Sequence, residues 1–228
     1  MAPELLPTIV APLLAGEADY AKGNRFFDLD GISSMPTARL WGNAILSIMS
    51  KLSTGYWNIV DPTNGYTAIH ASVLRRLPLD KISRSYFFET DLLFRLNTLR
   101  AVVVDVPMDA VYGDEASSLR VTRVLVEFLR KHLRNFAKRI FYNYFLRDVS
   151  VASLELAVGL GLLTFAVAFG GYHWARSASE GVATPLGTIV IAAVALVLGV
   201  QFVLSFLQYD VASVPRRPIH RLLTRTRP

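Results

Sequence analysis

The chain has 228 residues, of which 52% are hydrophobic, and 24 basic against 18 acidic side chains. This composition, with a mean hydropathy of +0.36, is too apolar for an ordinary soluble domain and indicates a protein that is partly inside a membrane. The absence of cysteine excludes disulfides and thiolate chemistry. The four histidines lie far apart without metal-ligand spacing, so a metal would need carboxylates.

Residues 1–116 alternate helix and strand signals. Helices are predicted over PELLPTIVAPLLAG, which Gly16 ends, over TARLWGNAILSIMSKLSTG, which Gly55 ends, and over FETDLLFRLNTL. Short strands are predicted in ADYAKGNRF, YTAIH and AVVVDVPM. The alternation predicts an α/β fold, but so few strands cannot bury both faces of a sheet, and no strand precedes the first helix. We therefore expect the second half of a domain.

Two acids, Glu89 and Asp91, stand inside the apolar run YFFETDLLFRL at residues 86–96. Carboxylates are expensive to bury unless they are paired or used. On a helix, residues two apart point to nearly opposite sides, so at most one of these acids faces a cleft. The other must find solvent, a cap or a cation. The simpler alternative is a solvated acid at the start of an amphipathic helix.

The segment RVLVEFLRKHLRNFAKRIFYNYFLRD combines an apolar stripe with a cationic face. Its apolar residues recur at steps of three and four, which is the pattern of a helix lying in a membrane surface. Packing on the soluble domain is the alternative. The stripe is Leu125, Leu129, Leu133, Phe136, Ile140 and Tyr144; the cations are Arg123, Arg130, Lys131, Arg134, Lys138 and Arg139.

Two long apolar runs follow, and we predict transmembrane helices over 149–172 and 185–208. Each run is long enough to cross a hydrocarbon core of about 30 Å. Glu155 is the one charge in the first run and lies near its end, within reach of headgroups or a partner helix. The outer flanks are rich in Arg and Lys, which predicts a multi-pass inner-membrane protein with both chain ends cytoplasmic. The segment 209–228 then reads as a basic tail facing anionic lipids. A nucleic-acid partner is not expected, because no recognition motif is present.

The segments ADYAKGNRF, DPTNGYTAI, FFETDLLFRL, VVVDVPM and YGDEASSL, in this order and followed by an apolar hairpin, resemble a known family. It comprises the family 2 glycosyltransferases that load sugars onto polyprenyl phosphates, the dolichyl-phosphate mannose synthase-like and bactoprenol glucosyltransferase-like enzymes. The resemblance implies a partial GT-A-like (Rossmann-like) α/β half-domain over 1–118. Basic amphipathic juxtamembrane helices over 119–148 and a two-helix transmembrane hairpin would follow.

The resemblance also implies the function and its ligands. A sugar would pass from a nucleotide donor to a polyprenyl phosphate carrier in the cell envelope. The family's donor half ends in an Asp-x-Asp motif for a divalent metal, Mg or Mn, and no such motif precedes PELLP. The triplet Asp28-Leu29-Asp30 comes too late in the chain. We therefore expect a carboxyl-terminal portion that is inactive alone. The alternative is a non-catalytic membrane-anchored module without the nucleotide-binding half. Related enzymes include homo-oligomers, but nothing in this chain sets a number.

Site residues follow from the same resemblance. Arg25 and Arg39 match arginines that face the acceptor phosphate, and Asn43 lies one helical turn after Arg39, on the same face. For each arginine the alternative is an ordinary surface charge. The resemblance makes Asp91 the catalytic acid beside the acceptor. Glu89 would lie on the other side, near the helix start. The remaining cleft-lining candidates are Asp61, Asn64, Gly65, Tyr66, Glu89 and Ser117.

Overall fold

A computed structural model of the chain describes residues 3–27, 37–108 and 121–225, and for residues 38–40, 121–125 and 224–225 it describes the backbone alone. The chain forms two compact units. The first, here called the sheet unit, comprises the described residues of Met1–Tyr142 and Val214–Pro228. The second, the hairpin unit, is Asn143–Ser213. The sequence therefore leaves the sheet unit once and returns to it.

The sheet unit contains three short strands, β1 (Tyr20–Asn24), β2 (Thr67–Ile69) and β3 (Val103–Pro107). β1 lies in the middle, antiparallel to β2 and parallel to β3. All five residues of β1 are buried, although one of them is Lys22. The predicted α/β character and the small number of strands are both found in this mixed sheet.

Helices surround the sheet, and two of them end at glycines that the sequence marks. They are α1 (Leu6–Leu14), α2 (Thr37–Thr54), the short α3 (Ala71–Leu74), α4 (Phe88–Thr98) and α5 (Val121–Phe141). Gly16 and Gly55, just past α1 and α2, have φ of 70° and 78°, a region that favours glycine. At Gly55 a side chain would also collide, because its Cβ would lie 2.8 Å from Arg139 Nη1 and 2.9 Å from Asn97 Nδ2.

The main core lies where α4 packs on the sheet. Leu92, Leu93 and Leu96 of α4 share one buried cluster with Tyr20 and Val103. Helices α2 and α5 pack against each other.

The hairpin unit consists of two long helices. A π-helical turn, Tyr142–Arg147, leads into α6 (Val151–Glu180), and α7 (Leu186–Ala212) follows. Both are long and apolar enough to cross a membrane, and only 22% and 17% of their most apolar windows are buried. The predicted spans 149–172 and 185–208 lie on these helices, although α6 continues to Glu180. Glu155 accepts a hydrogen bond from Ser205 of the facing helix at 2.7 Å, so the charge inside the first run has a partner.

The segment after the hairpin differs from the predicted tail. Val214, Ile219 and Leu223 pack against the main core of the sheet unit, and α8 (His220–Arg225) is a short helix. Residues 214–223 therefore pack on the sheet unit through their apolar side chains, and the contact of the basic segment 209–228 with anionic lipids stays a prediction. That prediction was based on the arginines of the segment. The packing depends instead on the apolar residues between them.

A buried carboxylate fixes this segment. Asp19 is 0% exposed and accepts hydrogen bonds from the backbone N–H of Ile219 at 2.9 Å and of His220 at 2.8 Å. It also accepts one from His220 Nδ1 at 2.8 Å. The His220 ring stacks on His70, with centroids 4.4 Å apart. The end of the described chain is thus part of the sheet unit.

Candidate functional site

The strongest polar feature near the end of β1 is an ion pair between Arg25 and Asp61. Asp61 is 0% exposed. Its Oδ2 accepts from Arg25 Nε at 2.7 Å, and its Oδ1 accepts from Arg25 Nη2 at 3.0 Å. Such a bidentate pair fixes the plane of the guanidinium as well as its position. The arginine side chain is still 32% exposed, so one side of it reaches the surface.

The loop at residues 60–65, which carries Asp61, is held on the sheet by several hydrogen bonds. The Asn64 side chain donates to Gly23 O at 2.8 Å and accepts from Tyr66 N–H at 2.9 Å. The backbone N–H of Gly23 donates to Tyr66 O at 2.9 Å. The segment DPTNGY therefore forms a turn, and its asparagine links the turn to β1 by hydrogen bonds.

Two ionisable groups lie beneath this loop. Lys22 is fully buried, and its Nζ donates a hydrogen bond to Asn64 O. Burial lowers the pKa of Lys22 to about 8, against the opposing effect of the Asp61, Glu89 and Asp105 carboxylates. Burial raises the pKa of Asp105 to about 6, although the Val60 N–H donates to its Oδ2 at 2.7 Å. The loop that carries Asp61 therefore lies over two ionisable side chains whose pKa values are shifted by burial.

Asp91 does not face a cleft. It is 1% exposed and is surrounded by protein donors. Its Oδ2 accepts from Ser83 N–H at 3.0 Å and from Arg95 Nη2 at 3.3 Å, and its Oδ1 accepts from Asn135 Nδ2 at 3.1 Å. These partners on three different segments hold Asp91 inside the fold, and its predicted role as the catalytic acid beside the acceptor stays a prediction.

Glu89 is the acid at the cleft. It lines an open cleft of about 700 Å³ together with Leu46, Thr63, Arg84, Ser85, Tyr86 and Phe128. A Cβ built on Gly65 would lie 3.7 Å from Glu89 Oε1, so the acid reaches the loop that carries Asp61. Thr63 connects the two parts of the site, because its Oγ1 accepts from Arg25 Nη2 at 3.3 Å. Helix geometry correctly predicted that Glu89 and Asp91 lie on different sides of α4. It could not predict which of these sides faces the open cleft.

Cations border the cleft on its other side. Arg84 contributes directly to its lining. Lys131 of α5 donates from Nζ to Ser85 Oγ at 3.1 Å and pairs with Glu127 Oε1 at 2.6 Å. The cleft therefore offers both positive side chains and one carboxylate, which suits a ligand with phosphate and hydroxyl groups.

The other predicted site residues divide into three groups. Asn43 is half-buried on α2, and Tyr66 packs against the smaller buried cluster beside β1. Arg39 lies on α2, where only its backbone is described. Ser117 lies outside the described residues. The predicted phosphate grouping of Arg25, Arg39 and Asn43 therefore stays a prediction.

Lys22, Arg84 and Asp105 are features that sequence reasoning missed. A lysine inside a predicted strand, three residues before Arg25, was the one available signal for Lys22. Arg84 stands in no motif. Asp105 stands in VVVDVPM, but that segment gives no sign that its carboxylate lies beside a buried lysine. Among the described residues, no group of three or more His, Asp or Glu could hold a metal ion. Asp28 and Asp30 lie outside them, and the expected Mg or Mn stays a prediction.

Comparison with known proteins gives two curated relatives, while no protein-family model matches the chain. It is 33% identical over 110 residues to the undecaprenyl-phosphate mannosyltransferase of Micrococcus luteus, covering 48% of this chain and 44% of that protein. It is 25% identical over 127 residues to the UDP-N-acetylglucosamine–dolichyl-phosphate N-acetylglucosaminyltransferase of Methanococcus voltae, covering 56% and 50%. The chain spans about half the length of these relatives. Their names describe glycosyltransferases that act on undecaprenyl phosphate and on dolichyl phosphate.

Proposed function

We propose that the chain carries the acceptor side of a membrane-bound glycosyltransferase that moves a sugar from a nucleotide donor to a polyprenyl phosphate. The observation that carries this proposal is Arg25, held bidentate by the buried Asp61, next to a cleft lined by Glu89. The names of the two relatives support the class of acceptor. We assign no residue that binds the nucleoside diphosphate of the donor within the described part of the chain.

The proposed chemistry asks little of an acid–base residue. A phosphate oxygen of the acceptor attacks the anomeric carbon of the sugar, and the bond from that carbon to the nucleoside diphosphate breaks. The phosphate is already an anion near neutral pH, so it needs orientation more than deprotonation. Arg25 would bind the acceptor phosphate, and Glu89 would accept hydrogen bonds from sugar hydroxyls. A divalent metal, when bound elsewhere in the complete site, would neutralise the leaving diphosphate.

An apolar surface on the sheet unit supports a membrane position for this reaction. Helices α2 and α5 leave large apolar side chains exposed, and an open apolar groove of about 160 Å³ runs between them. The exposed residues are Trp41, Ile45 and Ile48 on α2 and Val126, Leu129 and Leu133 on α5. Arg130, Arg134 and Lys138 on α5 supply cations for anionic headgroups. We propose that both helices lie in the membrane surface, where they would keep the cleft near a lipid phosphate.

The groove is uncharged at neutral pH, which suits contact with lipid. His132 lines it and is buried, with its Nδ1 2.8 Å from Ser53 Oγ. Burial lowers the pKa of His132 to about 4, so the imidazole stays neutral near pH 7. A charged histidine at this position would oppose contact with hydrocarbon.

Acceptor binding tests the proposal directly. The full chain in nanodiscs is titrated with undecaprenyl phosphate and, separately, with uncharged undecaprenol. We expect saturable binding of the phosphate alone.

Arg25→Ala should weaken the binding of undecaprenyl phosphate about tenfold to a hundredfold, the usual cost of a charge-assisted hydrogen bond. Arg25→Lys should restore it only in part, because an ammonium cannot reproduce the planar fork. Equal binding by the exposed-site control Arg76→Ala and by Arg25→Ala would refute the role of Arg25.

Turnover tests whether the chain alone supplies a donor site, which neither the acceptor side of an enzyme nor the alternative, a non-catalytic acceptor-binding module, would do. Both bind polyprenyl phosphate, but only a chain with a donor site forms a glycosyl phosphate lipid. The chain is incubated with undecaprenyl phosphate, Mg²⁺ or Mn²⁺ and a panel of sugar nucleotides, and lipid products are separated. We expect binding without turnover by the 228-residue chain alone. Robust turnover would show that the chain supplies a donor site.

A further inference from the structure

Two charged side chains, Lys22 and Asp105, lie under the candidate site, and neither is among the residues that line its cleft. They are partners on the parallel strands β1 and β3, so their side chains point to the same face of the sheet. Lys22 is 0% exposed and Asp105 is half-buried. The proposed chemistry uses neither of them.

Each of these side chains holds one end of the loop at residues 60–65. The Lys22 ammonium donates to the Asn64 carbonyl, and Asp105 Oδ2 accepts from the Val60 N–H at 2.7 Å. Asp61 lies between these two points of attachment. Its carboxylate is therefore fixed by neighbouring strands, and the guanidinium of Arg25 is fixed by that carboxylate.

The cluster contains charges of both signs, and the Glu89 carboxylate also acts on Lys22. Arg25 and Lys22 supply two positive charges, and Asp61 and Asp105 supply two negative charges. Asp105 Oδ1 is buried and accepts no hydrogen bond from the described residues, so its charge depends on the field of its neighbours. Lys22 is one of those neighbours, and it lowers the pKa of Asp105 against the stronger effect of burial.

We propose that Lys22 and Asp105 are positioning residues that clamp the loop carrying Asp61 and so set the orientation of Arg25. The ligand of Arg25 in this inference rests on the proposed function. The clamp itself does not, because it consists of contacts within the sheet unit. An apolar pair at these positions would pack as well but would offer no attachment to the Val60 N–H or the Asn64 carbonyl.

The test measures hydrogen exchange of the Arg25 Nε–H by NMR, using the full chain in micelles. Lys22→Met keeps the aliphatic stem but removes the donor, and we expect exchange to become about tenfold faster as the loop loosens. Asp105→Ala should have a similar effect. Asp105→Asn should stay close to wild type, because an amide oxygen still accepts from the Val60 N–H. Lys81→Met, at an exposed lysine, is the matched control.

A second readout reports the electrostatic interaction between Lys22 and Asp105. With ¹³C-labelled aspartate, the carboxyl resonance of Asp105 gives its titration, and Lys22→Met should raise its pKa further by removing a nearby cation. A loss of packing alone would not produce that shift in a folded protein. If Lys22→Met does not fold, the comparison of Asp105→Asn with Asp105→Ala decides the inference instead.

The outcomes separate this inference from the proposed function. Unchanged Arg25 exchange in Lys22→Met, or equally fast exchange in the Asn and Ala variants of Asp105, would overturn the clamp. Faster exchange combined with no binding of undecaprenyl phosphate by the wild-type chain would leave the clamp standing and refute the phosphate role of Arg25.

Discussion

Two carboxylates two residues apart on α4 have opposite surroundings. Asp91 is enclosed by Ser83, Arg95 and Asn135, whereas Glu89 lies at an open cleft. A buried carboxylate with several donors contributes to stability, because its loss leaves those donors unpaired. An acid at a cleft contributes to stability far less and is available to a ligand.

This contrast predicts different consequences for the two acids. Asp91→Asn should lower the free energy of unfolding by about 2–3 kcal/mol, because it removes the charge that Arg95 and the Ser83 N–H contact. For a chain of this length that corresponds to roughly 5–10 °C in the unfolding midpoint. Glu89→Gln should shift the midpoint little but weaken use of a sugar-bearing ligand. Thermal unfolding in detergent, followed by circular dichroism, measures the first effect. A larger loss of stability in Glu89→Gln would contradict this assignment.

At the scale of elements, local signals identified most of the sheet unit. Gly16 and Gly55 marked helix ends correctly, and each predicted strand before residue 108 is present. The same signals could not assign the open side of α4. That side depends on Asn135, which lies 44 residues from Asp91 along the chain. Nor could they place Lys22, because a lysine in a strand is buried only when neighbouring strands supply partners.

The sheet itself predicts an unusual dependence of stability on pH. Burial raises the pKa of Asp105 to about 6, so its contribution to stability is present at low pH and falls as pH rises through 6. Burial lowers the pKa of Lys22 to about 8, so the unfolded chain binds more protons above that pH and stability rises again. The pair therefore costs most between about pH 6 and 8.

Unfolding midpoints measured across pH test this dependence. We expect the wild-type midpoint to rise from pH 7.5 to pH 9.5 relative to Lys22→Met, and to fall from pH 4.5 to pH 6.5 relative to Asp105→Asn. Each variant removes one of the two titrations and also shifts the other, so each comparison is made in the pH range of the titration that is removed. Parallel curves for wild type and both variants would mean that these two groups are not titrating in the folded protein as stated.

At the scale of the whole molecule, the segment after the hairpin completes the sheet unit. Asp19 and the core residues around Tyr20 bind residues 214–223, some 200 positions along the chain. Periodicity could not predict this return, because the segment is short and dominated by arginine. We expect Asp19→Ala to destabilise the sheet unit and to expose the segment to trypsin at Arg216 and Arg221; the bond after Arg217 is not a trypsin site, because Pro218 follows it. Glu17→Ala, which lies next to the same strand, is the control. Equal trypsin resistance in both variants would contradict the anchoring role of Asp19.

The return of the chain also constrains topology. Tyr142 and Val214 belong to the same compact unit, so both ends of the apolar segment between them must lie on one side of a membrane if its two helices span it. The basic outer flanks predict that this side is the cytoplasm. Since the chain has no native cysteine, single substitutions can report each side. In intact cells, an impermeant thiol reagent should label Ser179→Cys and leave Arg217→Cys unlabelled. Both positions are exposed, so access to the side chain is not limiting. After permeabilisation both should react. Labelling of Arg217→Cys alone in intact cells would reverse the orientation, and labelling of neither before permeabilisation would mean that the hairpin does not cross the membrane.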